Sequence, residues 1–420
     1  MLFSSSRFHH DVENARTAEH SDEAGSIRVG FTGEVQGREA VRMTPEAFRQ
    51  HFPIFKEKAH LCSCSEGALS LRVTQAMDAF MASWRTEGAP WGAWMEQVER
   101  ARRGFAALIH ADPAEVAAVS CASEGAYQIA STLDFGERCR ILTTDLEFPS
   151  VAHIWLGAER RGARVQFLPE RNGVTTAEDY LTGLSDDTAL VSVPLVSYGN
   201  GLRLPVHAVA QAAHARGAKV FVDAYQGAGV VPIDVRTLPC DYLVAGTLKY
   251  LLGAPGLAFL YVRNASMPEG LPPYSGWFGR EAPFGFTPRI LDYAPDARRF
   301  QGGTPAIPAA YAGAAGLSLV QELDQDAVLQ HVLSLGDWLQ DAFLEEGVPL
   351  YSPTERTQRG PQVAVRAGDA DRLAEYLAAR GVLVSPRGQA VRISLHYYNT
   401  LEDLTRVFQG VLDYRRTVGL

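Results

Sequence analysis

Two residues in the stretch FVDAYQGAGVVPIDVRTLPCDYLVAGTLKYLLGAPGLAFLYV (221–262) have the types and setting for chemistry. An apolar run ends directly in Asp223, and a second one, YLVAGTLK, ends in Lys249 before a Gly/Pro turn. In open α/β sheets ligands sit beyond the carboxyl ends of strands, so a carboxylate at that point faces a site. An arbitrary lysine is a solvated surface charge. Lys249 lies between apolar runs, where an unpaired ammonium is costly and its pKa should fall. A lysine amine with a lowered pKa is a nucleophile toward carbonyl groups and forms Schiff bases.

The elements that must position these groups follow from periodicity. The runs 141–144 (ILTT), 189–196 (ALVSVPLV), 219–222 (KVFV) and 257–262 (LAFLYV) read as buried strands, with helices such as SVAHIWLGAERRG and PVHAVAQAAHARG between them. That alternation predicts βαβ units and a mostly parallel sheet. Upstream, TPEAFRQHFPIF opens with a Thr N-cap and a Pro at the first helical position. Trp94, Val98, Ala101, Phe105 and Leu108 recur at helical spacing and predict a long amphipathic helix ending before Pro113. LPPYSGWFG and PFGFTPR mark a long loop. After it the pattern is helix, strand, helix, strand, helix, with QVAVRA and AVRISL as strands. The expected organisation is a polar extension over 1–42, a segment over 43–74 that packs with the small domain, a large domain over 75–305 and a small α+β domain over 306–420.

Composition narrows the functional classes. Of 420 residues, 46% are hydrophobic and 21% charged, which suits a globular chain with a large core. The net charge of −9 argues against a nucleic-acid backbone binder. No apolar window is long enough for a membrane span, and the first residues carry no apolar signal core. A cytoplasmic location is therefore expected, with Cys62, Cys64, Cys121, Cys139 and Cys240 as reduced thiols. The Cys62-x-Cys64 pair has no second pair at zinc spacing, so no metal is expected. Cys121, Cys139 and Cys240 read as small buried hydrophobes.

The segment Asp223-Ala224-Tyr225-Gln226-Gly227-Ala228-Gly229, followed by Lys249 and GAPGLAFLYV, resembles the class V aminotransferase family of pyridoxal-phosphate (PLP) enzymes. That family includes cysteine desulfurases, kynureninases and isopenicillin-N-epimerase-like proteins. Further motifs fall in family order between residues 60 and 410. The resemblance implies the fold of PLP-dependent transferases of fold type I, an α/β large domain with a smaller C-terminal domain, and PLP as cofactor. It assigns Lys249 the Schiff base and Asp223 the pyridine nitrogen, which keeps the ring able to accept electrons. Gln226 would meet the phenolic oxygen. CASEGAYQIAS (121–131) resembles the phosphate loop, with Ser123 and the amides of Glu124 and Gly125 as ligands at a helix N-terminus; read alone, it is a Ser N-cap. Thr247 would be a further phosphate ligand.

Phe148 in DLEFPSV corresponds to the residue that caps the ring face, and the F-P-S reading is kynureninase-like. GWFG (276–279) also resembles a kynureninase-like motif and places Trp277 near the phosphate. In FQGGTPAIPAA, Thr304 would reach the phosphate of the neighbouring subunit, which implies a homodimer with shared sites; read alone, GGTP is a turn. AVRISLHYYNTLEDL resembles the family's R-x-S-x-x-x-Y-N segment, whose arginine, Arg392, would grip the substrate α-carboxylate. Tyr198 stands where the family has an asparagine near the ring, and is either a proton donor or a packing residue.

No cysteine follows Cys240, so the loop that carries the nucleophile in desulfurases lacks it, and desulfurase chemistry is not expected. The expected activity is that of a PLP-dependent enzyme on a small α-amino acid. It proceeds by exchange of the lysine imine for the substrate amine and α-proton abstraction, toward transamination or β-elimination of a sulfur-type leaving group. The alternatives are kynureninase-like hydrolysis, although Gln226 stands where kynureninases carry His, epimerisation, and a catalytically silent PLP-binding protein.

Overall fold

The computed structural model describes residues 43–268 and 270–419. The expected polar extension over 1–42 lies outside the described residues.

The chain enters through α1 (Pro45–Arg49), where the Thr44 hydroxyl accepts from the Ala47 amide as the N-cap pattern predicts. It passes through strand β1 (Ala59–His60) into α2 (Leu71–Glu87) and α3 (Trp91–Leu108). Trp94, Val98, Ala101 and Phe105 form the buried stripe of α3. The large sheet follows, built from β2 (Val116–Val119), β3 (Arg140–Thr144), β4 (Arg164–Leu168), β5 (Thr188–Pro194), β6 (Lys219–Asp223), β7 (Tyr242–Gly246) and β8 (Ala258–Val262). Helices α4 (Ala122–Thr132), α5 (Pro149–Ala158), α6 (Ala177–Gly183) and α7 (Val206–Ala215) connect and flank these strands.

The strand order is β2-β8-β7-β6-β5-β3-β4. Strands β4, β3, β5, β6 and β7 run parallel, and β8 is antiparallel to both its neighbours. The residues of β5 to β8 are buried throughout, as expected of strands covered on both faces. β2 and β4 are not among the apolar runs read from the sequence. β2 spans four residues, and β4 is an edge strand (RVQFL) whose first residue is exposed.

The described residues of 263–306 form short 3-10 turns and an isolated antiparallel bridge between Arg280 and Tyr293. Helices α8 (Ile307–Gln321) and α9 (Gln325–Glu345) lead to a second, antiparallel sheet. Its strands are β9 (Gln362–Arg366), β11 (Ser385–Arg387) and β12 (Ala390–Ser394), in the order β11-β12-β9; β10 (Val382–Leu383) pairs parallel with β1. Helices α10 (Ala370–Ala378) and α11 (Leu401–Thr417) pack beside it. Phe48, Phe52 and Leu61 from the beginning of the described chain join Ile393, Tyr398 and Leu404 in one hydrophobic cluster.

Residues 62–68 run as a strap between the two sheets. The Cys64 amide donates to Ser394 Oγ at 2.9 Å, and the Gly67 amide donates to the Leu248 carbonyl at 2.8 Å. On its other side the Lys249 turn rests on α8, which is apolar on nearly all faces. There Leu252 is held at φ +59°, an uncommon conformation for a branched residue. Gly316 of α8 allows the approach, since a Cβ on it would lie 2.5 Å from the Leu251 carbonyl oxygen and 2.6 Å from the Leu252 carbonyl.

Both neighbours are backbone atoms, so Gly316→Ala must push the Lys249 turn away from α8. The expected loss is about 1–3 kcal/mol, typical of overpacking. Gly92→Ala faces open space on α3 and should be neutral or slightly stabilising. Urea unfolding of the two variants checks this; equal midpoints would contradict it.

Candidate active site

Parallel strands deliver their carboxyl ends to one edge of the sheet, and the expected chemistry gathers there. A cavity of about 200 Å³ is lined by Ser123, Phe148, Tyr198, Asp223, Gln226 and Lys249, together with Cys121, Tyr225 and Leu248. Asp223 is the last residue of β6, Phe148 is the N-cap of α5 beyond β3, and Lys249 follows β7. Six of the twelve site residues expected from the sequence thus share one cavity.

The Lys249 amine lies 5.4 Å from the centre of the Phe148 ring and 4.6 Å from that of Tyr225. Desolvation lowers its pKa to about 8, against the pull of Asp223 in the opposite direction. About a tenth of the amine is therefore unprotonated at pH 7, against well under a thousandth for a lysine at its ordinary pKa. Asp223 is buried, which raises its pKa, while the Tyr225 amide donates to Oδ1 at 2.9 Å and Lys249 favours its charged form. Among the described residues Asp223 makes no ion pair within hydrogen-bonding distance.

Arg392 lies on β12 and is 1% exposed. Its guanidinium donates to the Tyr198 carbonyl at 2.9 Å, to Ser65 Oγ at 3.3 Å and to the Ser385 carbonyl at 3.4 Å. All three acceptors are neutral, so a buried cation near Lys249 has no counter-ion of its own among the described residues. A buried charge without a partner is costly, and a ligand carboxylate is the group that fits it. Tyr198 links the two regions, because its ring meets Phe148 edge-on at 5.1 Å while its carbonyl holds Arg392.

The remaining expected residues stand elsewhere. The Glu124 carboxylate accepts from the Ser120 amide and hydroxyl, both at 2.6 Å. It lines a second cavity of about 200 Å³ on the other side of the α4 N-terminus, together with the exposed Thr304. The Gly125 amide donates to the Cys121 carbonyl within α4. Thr247 is buried, and its hydroxyl is directed at the Ala254 and Leu257 carbonyls at 2.6 and 3.0 Å, closing the turn after Lys249. Trp277 packs among Trp91, Phe278, Phe284 and Phe286. Neither Thr247 nor Trp277 lines the cavity beside Lys249.

The cysteine expectations need correction. Cys240 is buried, but Cys139 is half-buried and Cys121 is exposed, with Cys121 on the cavity wall as the N-cap of α4. A start of a helix leaves its first residue outside the packed face, and the sequence window around Cys121 does not show which way it turns. Sequence reading missed Tyr225 and Glu147, and it read Cys64 as a free thiol at the mouth of the site without its contact to Gln226. The Cys64 carbonyl accepts from Gln226 Nε2 at 3.1 Å, a long-range backbone contact with no local signature. Tyr225 stands two positions after Asp223, and an aromatic residue so close to a site carboxylate is a signal that was available.

These residues fit pyridoxal phosphate. An amine, a buried carboxylate, an aromatic ring and a hydroxyl in the first turn of a helix with no side-chain N-cap line one cavity. Gln226 keeps one amide hydrogen beyond its bond to Cys64, and its buried Oε1 has no partner among the described residues.

Glu147, beside Phe148, is 3% exposed. It accepts from the Phe148 amide at 2.9 Å and from Ser192 Oγ at 2.7 Å. Burial, and then the nearby Asp223, push its pKa up to about 8. The folded chain therefore holds a proton on Glu147 that the unfolded chain releases above about pH 4.5. The contribution of Glu147 to stability is full below that pH and is lost as pH rises through about 8. Glu147→Gln cannot ionise, so the parent should lose stability relative to this variant between pH 5 and 8.5 in thermal unfolding. A constant difference across that range would contradict the buried neutral acid.

Comparison with known proteins agrees with the geometry. The family model "Aminotransferase class-V" matches residues 69–407. The chain is 39% identical over 368 residues to a protein of Bacillus subtilis (strain 168) described as an uncharacterized aminotransferase, YcbU, covering 87% of this chain and 97% of that one. It is 29% identical to a kynureninase of Deinococcus radiodurans, covering 80% and 84% of the two chains. In fold it is similar to a cysteine desulfurase from Thermococcus onnurineus NA1, with a TM-score of 0.80, 23% identity and coverage of 90% and 99%. It is also similar to the cystine C-S lyase C-DES, solved with its product cysteine persulfide, with a TM-score of 0.79, 21% identity and coverage of 85% and 98%. The fold is that of PLP-dependent transferases of fold type I. On the strength of the family match across most of its length, the chain belongs to the aminotransferase class-V family of pyridoxal-phosphate-dependent enzymes.

Proposed function

We propose that the protein acts on a small α-amino acid, by transamination or by β-elimination of a sulfur-type leaving group. The observation that carries this reading is Arg392, a cation 1% exposed with only neutral partners, set on the same site as the Lys249 amine. A carboxylate and an amine on one carbon match that pair. Bound pyridoxal phosphate supplies an electrophilic carbonyl for amines and a cationic ring that accepts electrons released at the α-carbon.

The chain's own residues do the rest. Lys249 would hold the cofactor covalently, and its Nζ, when free, would take the substrate's α-proton. Asp223 would keep the ring nitrogen protonated, Gln226 would donate to the phenolic oxygen and Phe148 would cover the ring. Ser123 and the first amides of α4 would hold the phosphate. Tyr198 walls the substrate side, where its ring is fixed by Phe148 and its carbonyl by Arg392. The reading excludes a desulfurase-type persulfide relay, because no cysteine follows Cys240.

The reading includes a homodimer, in which Thr304 would reach the phosphate of the neighbouring subunit and Trp277 would stand near the phosphate. The loop that carries Trp277 supports it, since Leu271, Tyr274, Phe284, Phe286, Ile290 and Leu291 are all exposed on that segment. No helix of the described residues is long and apolar enough to cross a membrane; a cytoplasmic location remains part of the proposal.

A second reading, kynureninase-like hydrolysis, has support in Phe148-Pro149-Ser150, in Gly276-Trp277-Phe278-Gly279 and in the kynureninase relatives. A panel of amino acids with mass spectrometry of the products separates the two. A keto acid, or pyruvate with ammonia, supports the first reading, and anthranilate from kynurenine supports the second. Loss of the charge-assisted bonds in Arg392→Ala should raise KM for carboxylate substrates about 10- to 100-fold, with a smaller change in kcat. An unchanged KM would remove Arg392 from the carboxylate grip.

A further inference from the structure

The site contains an aromatic ring with no role in the reading above. Tyr225 follows Asp223 by two residues, lines the cavity and lies under the Lys249 amine, 4.6 Å from amine to ring centre. Its place depends on Gly246, the last residue of β7, because a Cβ on Gly246 would overlap the Tyr225 phenol oxygen and ring. A glycine at the end of a fully buried strand gives up side-chain packing there. The ring of Tyr225 takes that space. On the other side, Phe148 is 5.4 Å from the same amine.

We propose that Tyr225, seated against Gly246, is a positioning residue for Lys249: the face of its ring holds the amine whenever the nitrogen is free of the cofactor. The electrostatic attraction of an ammonium to a π-face acts at this distance and is stronger where water is scarce. It gives Lys249 a fixed station in the part of the reaction when its nitrogen must carry a proton rather than a carbon. Without it, the freed side chain has several rotamers and a carboxylate, Asp223, toward which to turn. The inference rests on Lys249 being the reactive amine, but its test does not require cofactor or turnover.

Charged and titratable groups face Lys249 from every neighbouring element. Asp223 at the end of β6 and Cys64 on the strap favour the ammonium, while Arg392 of β12 and Arg387 of β11 oppose it. Burial, and then the nearby Asp223 and Cys121, push the pKa of the Tyr225 phenol well up, so it stays neutral and the ring acts through its π-face. Removal of the ring therefore takes one stabilising contact from the ammonium and leaves the charged neighbours in place.

The chain has four lysines, Lys56, Lys58, Lys219 and Lys249, which makes the measurement direct. Reductive methylation of the cofactor-free full-length protein with carbon-13 formaldehyde gives a small set of lysine methyl signals, assigned with Lys249→Arg. In Tyr225→Leu the Lys249 titration midpoint should fall by about one pH unit. In Tyr225→Phe, which keeps the ring, it should stay within about 0.2 unit of the parent, a margin set well below the shift expected from loss of the ring. Gly246→Ala, which displaces the ring without removing it, should follow Tyr225→Leu; if that variant fails to fold, the two Tyr225 variants decide. The other three lysines serve as internal controls for folding. An unchanged midpoint in Tyr225→Leu overturns the proposal, as does a fall in Tyr225→Phe as large as in Tyr225→Leu. Failure of Lys249 to carry the cofactor would show instead in the parent, as absence of a lysine adduct, and leaves these titrations readable.

Discussion

Burial and charge pull the Lys249 amine in opposite directions, and the balance between them governs the site. A lysine in water stays protonated and inert near pH 7. A lysine sealed in an apolar core gives up its proton but has nothing to react with. Lys249 stands between these limits, desolvated enough that its pKa falls to about 8 and open to a cavity large enough for a small molecule. Asp223 limits the fall, and Arg392 and Arg387 push the same way as desolvation. Two buried acids, Asp223 and Glu147, share the neighbourhood, and burial raises both. A ligand that brings a cationic nitrogen to one end and a carboxylate to the other would relieve Asp223 and Arg392 together.

The fold serves this balance through a few backbone contacts rather than through many side chains. The parallel strands bring Asp223, Lys249 and the start of α5 to one edge of the sheet. The Lys249 turn is then pinned from both sides. Gly316 lets α8 approach on one, and the strap at Gly67 binds the Leu248 carbonyl on the other. The same strap ties Gln226 to Cys64 and Arg392 to Ser65, so the residues assigned to cofactor and substrate are fixed to one short segment.

Much of this was legible in the sequence, and the limits have physical causes. Asp223 and Lys249 announced themselves because a charged residue at the end of an apolar run has few structural explanations. The central strands were visible as continuous apolar runs for the same reason that they are buried on both faces. β4 escaped because an edge strand alternates and tolerates charge. Glu147 escaped because an acid before Phe148 looks like any solvated carboxylate until Ser192 of β5 is placed against it. The family resemblance pointed to Thr247, Trp277 and Thr304, but Thr247 gives its hydroxyl to its own turn, Trp277 packs against Trp91 and Thr304 lines another cavity. Sequence order carries the identity of such residues; it does not carry which hydrogen bond a hydroxyl has already made, nor which surface a second chain covers.

The central claim is that one amine, at position 249, carries the pyridoxal phosphate. Borohydride reduction of the purified protein followed by proteolysis and mass spectrometry tests it most directly, because only Lys56, Lys58 and Lys219 compete as acceptors. The account predicts a single phosphopyridoxyl peptide, containing Lys249. Label on any of the other three lysines with Lys249 unmodified, or no label on a protein saturated with cofactor, would contradict it.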